Sequence, residues 1–142
     1  MEVLILGKTR MRNGVCVGGT VLANNRMVRL LVDDNGTPHP VDTPVEVGQI
    51  WEITFTNRTN INPPHIEDVI IQTAKYIGNA ENLSQYILDN GLVDWNGNIE
   101  NVFDGILSWT DAGSGFIPFG GQYPSKSTGF WVPDIDLYRS LF

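Results

Sequence analysis

The chain has a single cysteine, so it can hold no internal disulfide. It has two histidines, and with that one thiol they offer none of the paired spacings of a zinc site. No apolar run approaches the roughly 20 residues that a bilayer-crossing helix needs. The first residues lack the basic start, long apolar stretch and small-residue cleavage site of a secretory signal. The expectation is a cytoplasmic protein with no membrane partner, no metal site and no cofactor. Cations are scarce too, 9 Lys and Arg against 16 Asp and Glu for a net charge of −7. Such a chain gains little general affinity for phosphate backbones, because that affinity comes from Lys and Arg displacing counterions. Aromatics thin out in the first half, where only Trp51, Phe55 and Tyr76 occur. A general single-strand binder, which stacks bases on exposed rings, is therefore poorly supported there.

What is present fits a compact protein. The 142 residues make one domain or two very small ones, and 42% apolar with 18% charged residues is too apolar for disorder. Fifteen glycines and eight prolines mark many turns. Charge is divided unevenly. Residues 1–77 hold seven Lys and Arg against eight Asp and Glu, whereas residues 78–142 hold two against eight. Any contact with a polyanion is thus expected to be local and in the first half.

The pattern predicts a mainly β chain with minor α. Residues 3–6 read as an apolar strand. Residues 14–22 and 27–32 read as a hairpin turning at Asn24-Asn25, since Asn tolerates the left-handed region. Residues 49–56 alternate, with Trp51, Ile53 and Phe55 on one face. Residues 66–76 read as a fifth strand, with Val69, Ile71 and Ala74 inward. Five short strands in under eighty residues suit a small Greek-key barrel, of OB type or of the competing SH3-like type. Residues 78–142 read as a smaller, tightly packed β-rich unit. It has one helix over 81–90, a second helical turn over 99–103, and short strands over 106–109, 114–119 and 129–132. The apolar end, residues 136–142, is expected to pack.

The most concentrated chemistry is the basic segment Lys8-Thr9-Arg10-Met11-Arg12, read as a loop. In extended form its three cations point one way, and Arg29 on a neighbouring strand adds a fourth. Arg forks grip phosphate bidentately and Lys supplies a mobile point charge, with Thr9 as a hydroxyl donor. The blander reading is a solvated loop paired with Glu2, Asp33 or Asp34. Residues 120–127 nearly spell a phosphate-binding loop, but Pro124 and Ser125 break it and no helix follows, which leaves only an anion contact by Lys126. Trp131 and His65 are secondary contact candidates. Cys16 reads as a buried small hydrophobe. Glu67 or Asp68 reads as an arginine partner rather than a Mg2+ ligand. No catalytic set emerges, so a non-enzymatic binding module leads. A protein-interaction domain using the acidic, aromatic-rich second half is the alternative.

The segments Leu4-Ile5-Leu6-Gly7-Lys8-Thr9-Arg10, Cys16-Val17-Gly18-Gly19, Val28-Arg29, Gly48-Gln49-Ile50-Trp51-Glu52-Ile53 and Pro64-His65-Ile66-Glu67-Asp68 resemble the bacterial dual OB-containing domain proteins. The resemblance is clearest over residues 2–77. It implies two small OB-type barrels packed together and a nucleic-acid-binding role, often in defence-type systems. The chain departs from that pattern in a second half that is short for a full barrel and strongly acidic.

Overall fold

The computed structural model describes residues 1–137. Five strands close a barrel: β1 (Glu2–Met11), β2 (Gly14–Val21), β3 (Arg26–Leu31), β4 (Gln49–Asn57) and β5 (Asp68–Asn79). Around the barrel the order is β1-β2-β3-β5-β4, with β3 and β5 parallel and all other pairs antiparallel. This is the OB-type Greek key, and closure leaves no free sheet edge. The β2–β3 turn forms where expected. Asn25 adopts a φ of 56°, and the Asn24 side chain accepts a hydrogen bond from the Arg26 amide.

Val3, Ile5, Val15, Val17, Val21, Val28, Leu30, Trp51, Ile53 and Val69 fill the interior, with Val45 of the β3–β4 loop packed on them. That loop is tied to β2 by paired backbone hydrogen bonds between Val15 and His39. The fifth strand starts two residues later than predicted and runs three residues further, to Asn79.

A bulge at Leu6 matters most for function. Ile5 lies opposite Gly19, yet Gly7 lies opposite Gly18. The extra residue flips the side-chain alternation beyond it. Gly7 and Thr9 therefore share the outer face with their partners Gly18 and Cys16. Lys8 and Arg10 share the inner side with Val17 and Val15. The basic segment is also not a loop, since β1 continues through Met11 and only Arg12-Asn13 turns.

The second half forms no barrel among the described residues. It holds the helix α1 (Leu83–Asp89), whose N-cap Asn82 accepts from the Gln85 amide, and four short strands. β6 (Val93–Gly97), which was not foreseen, pairs in parallel with β9 (Phe130–Pro133). β7 (Ser108–Trp109) pairs with β8 (Gly115–Phe116). A 3-10 segment, Ile99–Gly105, carries Phe103 and Asp104 at left-handed φ of 54° and 60°. That backbone brings Phe103 against Trp95 and lets Asp104 accept from the Trp95 indole nitrogen at 3.1 Å. Trp95 is buried. Of the apolar end expected to pack, Leu137 is exposed, and residues 138–142 lie outside the described residues.

This half covers one end of the outer barrel face. Leu4 and Thr20, cross-strand partners on that face, are fully buried. Leu4, Leu22 and Ile50 border a cavity with Gln85 and Tyr86 of α1. The Thr20 hydroxyl has no hydrogen-bond partner among the described residues. A buried hydroxyl without a partner is costly. Thr20→Val should therefore raise the unfolding free energy by about 1 kcal/mol in urea titrations.

Candidate nucleic-acid interface

Among the described residues, the other end of the outer face stays open. There a cleft of about 160 Å³ is lined by Gly7 and Thr9 of β1, Cys16 and Gly18 of β2, Arg29 of β3, and Thr128–Phe130 of the second half. The facing pair Gly7 and Gly18 makes a floor of bare backbone, and Arg29 lies opposite Gly18 at its far edge. Glycine in a strand interior commonly marks such a close approach. Cys16 lines the cleft half-exposed rather than lying buried, because its valine neighbours, and not Cys16 itself, face the core.

Arg29 is held in place by the residue opposite it on the parallel strand. Its Nε donates to Asp68 Oδ1 at 2.5 Å and one terminal nitrogen donates to Oδ2 at 2.8 Å. Arg58 donates to the same Oδ2 at 2.9 Å and to the Asp34 carbonyl. The Asp68 side chain is fully buried between them. Burial alone would raise the Asp68 pKa, but hydrogen bonds and charge from both arginines outweigh it and hold the carboxyl below its ordinary value. The Asp68 hydrogen bond raises the Arg29 pKa against the opposing effect of burial, and the nearby Cys16 adds to the rise. His65, half-buried on the β4–β5 loop, has its pKa lowered by burial and then by the Arg29 charge.

The remaining lining comes from a strap, residues 125–130, fastened by the chain's own carboxylates. The Ser125 amide donates to Asp104 at 2.7 Å. Lys126 pairs with Asp94, whose other oxygen accepts from the Phe130 amide. Ser127 gives its amide and its hydroxyl to Glu67, at 2.8 and 2.5 Å. The end of the near phosphate-binding loop therefore spends its donors on internal carboxylates, through the Ser125 and Ser127 amides, the Ser127 hydroxyl and the Lys126 ammonium. Glu67 and Asp68 are likewise committed to Ser127 and to the arginines. Among the described residues no three His, Cys, Asp or Glu group as a metal site.

The predicted cation set is divided by the sheet. Thr9 and Arg29 meet at the cleft. Lys8 turns to the opposite side and pairs with Glu46 at 2.7 Å and with the Thr43 carbonyl. Arg10 and Arg12 are exposed at the β1–β2 turn and form no salt bridge among the described residues. Trp131 is half-buried in β9 and donates to the Gly97 carbonyl. Reading the residues alone missed Gly7, Gly18 and Cys16 as lining; the one signal available was the Gly18-Gly19 pair inside an apolar strand.

Among the described residues, no helix is long and apolar enough to cross a membrane. No curated protein and no solved structure matches the chain. The family model of the dual OB-containing domain matches residues 1–138, and the chain belongs to that family.

Proposed function

We propose that this member of the dual OB-containing domain family is a non-enzymatic module that binds nucleic acid in the outer-face cleft of β1–β3. The observation that carries the reading is the cleft itself, with its glycine floor, pinned Arg29 and Thr9, left open where the second half stops. OB barrels take oligonucleotides on the face of strands 2 and 3 and on the loops at its rim. Here Arg12, on the β1–β2 turn, stands at one such rim, where it can meet a phosphate. The cleft has the size that takes one ring system rather than a run of stacked bases. With so few cations, affinity is modest and local, and log K falls by about 0.7 per tenfold rise in salt for each phosphate contacted.

Gly18→Val tests the proposal. A Cβ on Gly18 meets only the Val28 carbonyl, at an ordinary 3.7 Å, so the barrel accepts the side chain while the cleft fills. Labelled single-stranded DNA and RNA, titrated at low salt and followed by anisotropy, should bind the wild-type protein. Binding should weaken at least about tenfold in Gly18→Val and to a smaller extent in Arg12→Ala, with Tm unchanged. No binding by the wild type, or equal binding by Gly18→Val, contradicts the reading.

A second reading, a protein-interaction surface, is favoured by Phe119, whose side chain is fully exposed beside a cavity lined by Pro63, Pro64 and Tyr123. Light scattering with Phe119→Ser separates the two, since a self-associating surface would lose assembly while strand binding would be unmoved.

A further inference from the structure

We infer that the cleft reads guanine, through the edge of Arg29 that Asp68 leaves free. This rests on the proposal that the cleft binds nucleic acid, and it names the base the cleft takes. A guanidinium carries five N–H donors in a planar fork. Asp68 takes Arg29 side-on, through Nε and one terminal nitrogen, and uses two of them. The end-on pair, one N–H from each terminal nitrogen, has no oxygen or nitrogen acceptor among the described residues; only the Cys16 sulfur, a weak acceptor, lies within reach of the guanidinium. Arg29 and Cys16 line the cleft and Asp68 does not. Cys16 lies near enough to the guanidinium to raise its pKa. On this reading the edge paired with Asp68 faces away from the cleft, which Asp68 does not line, and the other edge faces into it beside Cys16.

The fork is also rigid. Asp68 is itself clamped from its other side by Arg58, so Arg29 is held before any ligand arrives. Two parallel donors at a set spacing select two adjacent acceptors. Guanine presents O6 and N7 in that arrangement, and arginine on this pair is the commonest specific protein–base contact. Adenine offers N7 beside an amino donor, which opposes one of the two N–H groups.

The floor favours a double ring. From Arg29 on β3 across Gly18 to Gly7 on β1 is two interstrand spacings, roughly 10 Å. A purine held by Arg29 at one end can rest its far side on Gly7, whereas a single-ring base leaves that end empty. Phe130 and Met27 supply apolar walls. A phosphate lodged there would lose hydration without enough donors to replace it. The phosphates are better met by Arg12 at the rim.

The test uses the intact protein and fluorescein-labelled eleven-nucleotide thymidine strands at low salt. The central base is guanine, hypoxanthine, 7-deazaguanine, adenine, cytosine or thymine, and 5′-GMP is a separate arm. Guanine and hypoxanthine, which both keep O6 and N7, should bind alike and about tenfold tighter than adenine, cytosine or thymine. The 7-deaza strand, lacking one acceptor, should lose most of that advantage. Competition by 5′-GMP equal to that of the guanine strand marks a free nucleotide as sufficient, and much weaker competition marks a strand; both agree with guanine reading. Equal binding of all centres, preference for adenine or cytosine, or an undiminished 7-deaza strand overturns the inference while leaving nucleic-acid binding standing. Failure of every strand to bind overturns both. Arg29→Lys removes the fork but risks the fold. Gly18→Val, which leaves Arg29 untouched, should abolish the guanine advantage, and its persistence there contradicts the placement.

Discussion

Replacing Asp68 with alanine should lower the unfolding free energy by about 3–5 kcal/mol, the range for breaking a buried ion pair from one side. The expectation is at the high end for a small barrel because one carboxylate serves two guanidinia. Without Asp68, Arg29 and Arg58 keep their charges with side chains only 16% and 12% exposed, and repel each other. The variant also unpins Arg29, so any base preference in the cleft should fall with it. Urea unfolding at pH 7 reads the first effect. The pH dependence reads its origin. The folded-state pKa of Asp68 lies below its ordinary value, so its contribution is fully present above the unfolded pKa of about 3.9 and is lost as pH falls through the folded value. Wild-type protein should therefore lose stability on acidification below about pH 4, and Asp68→Ala should lose less across the same window. A variant with wild-type stability and an unchanged acid limb would remove the ion-pair cluster from the account.

Gly19→Ala should cost about 3 kcal/mol, although it adds one methyl group. An added Cβ would lie 2.5 Å from the Leu4 carbonyl oxygen and 2.9 Å from Val3 Cγ1. The first is backbone in the β1–β2 ladder and cannot move without disturbing that pairing. The neighbouring substitution is the control. Gly18→Ala faces the open cleft and should stay within about 0.5 kcal/mol of wild type. The pair tests the register directly, since a one-residue slip of β2 would exchange the two results. Parallel thermal and urea unfolding of both variants is sufficient.

Much of the barrel was legible in the residues because half-buried strands alternate and turns need particular backbones. Trp51, Ile53 and Phe55 on one face of β4, and Asn24-Asn25 between β2 and β3, are cases where local pattern and final fold agree. The bulge at Leu6 was not legible. Nothing in Leu4-Ile5-Leu6-Gly7-Lys8 says which residue is extra, yet that one residue decides that Thr9 joins Arg29 while Lys8 and Arg10 turn away. The residues mark Glu67 or Asp68 as an arginine partner, but which of the two, and its consequence for Arg29, needs the parallel β3–β5 pairing, a contact between residues 39 apart in sequence. Cys16 was misplaced for a related reason: in an apolar strand, a small residue on the outer face looks like one in the core. In the second half the short strands carry too few residues for a period to be read. β6 went unseen because its partner β9 lies across a long stretch of turns.

The most direct test of the account is where a ligand touches the barrel. The amide spectrum of 15N-labelled protein, titrated at low salt with the guanine-centred thymidine strand, locates that contact. The account predicts saturable shifts at Gly7, Thr9, Cys16, Gly18, Arg29 and the strap at Thr128–Phe130. Saturable shifts confined to Lys8 and Glu46, or to Phe119 and Tyr123, with the cleft amides unmoved, would contradict it.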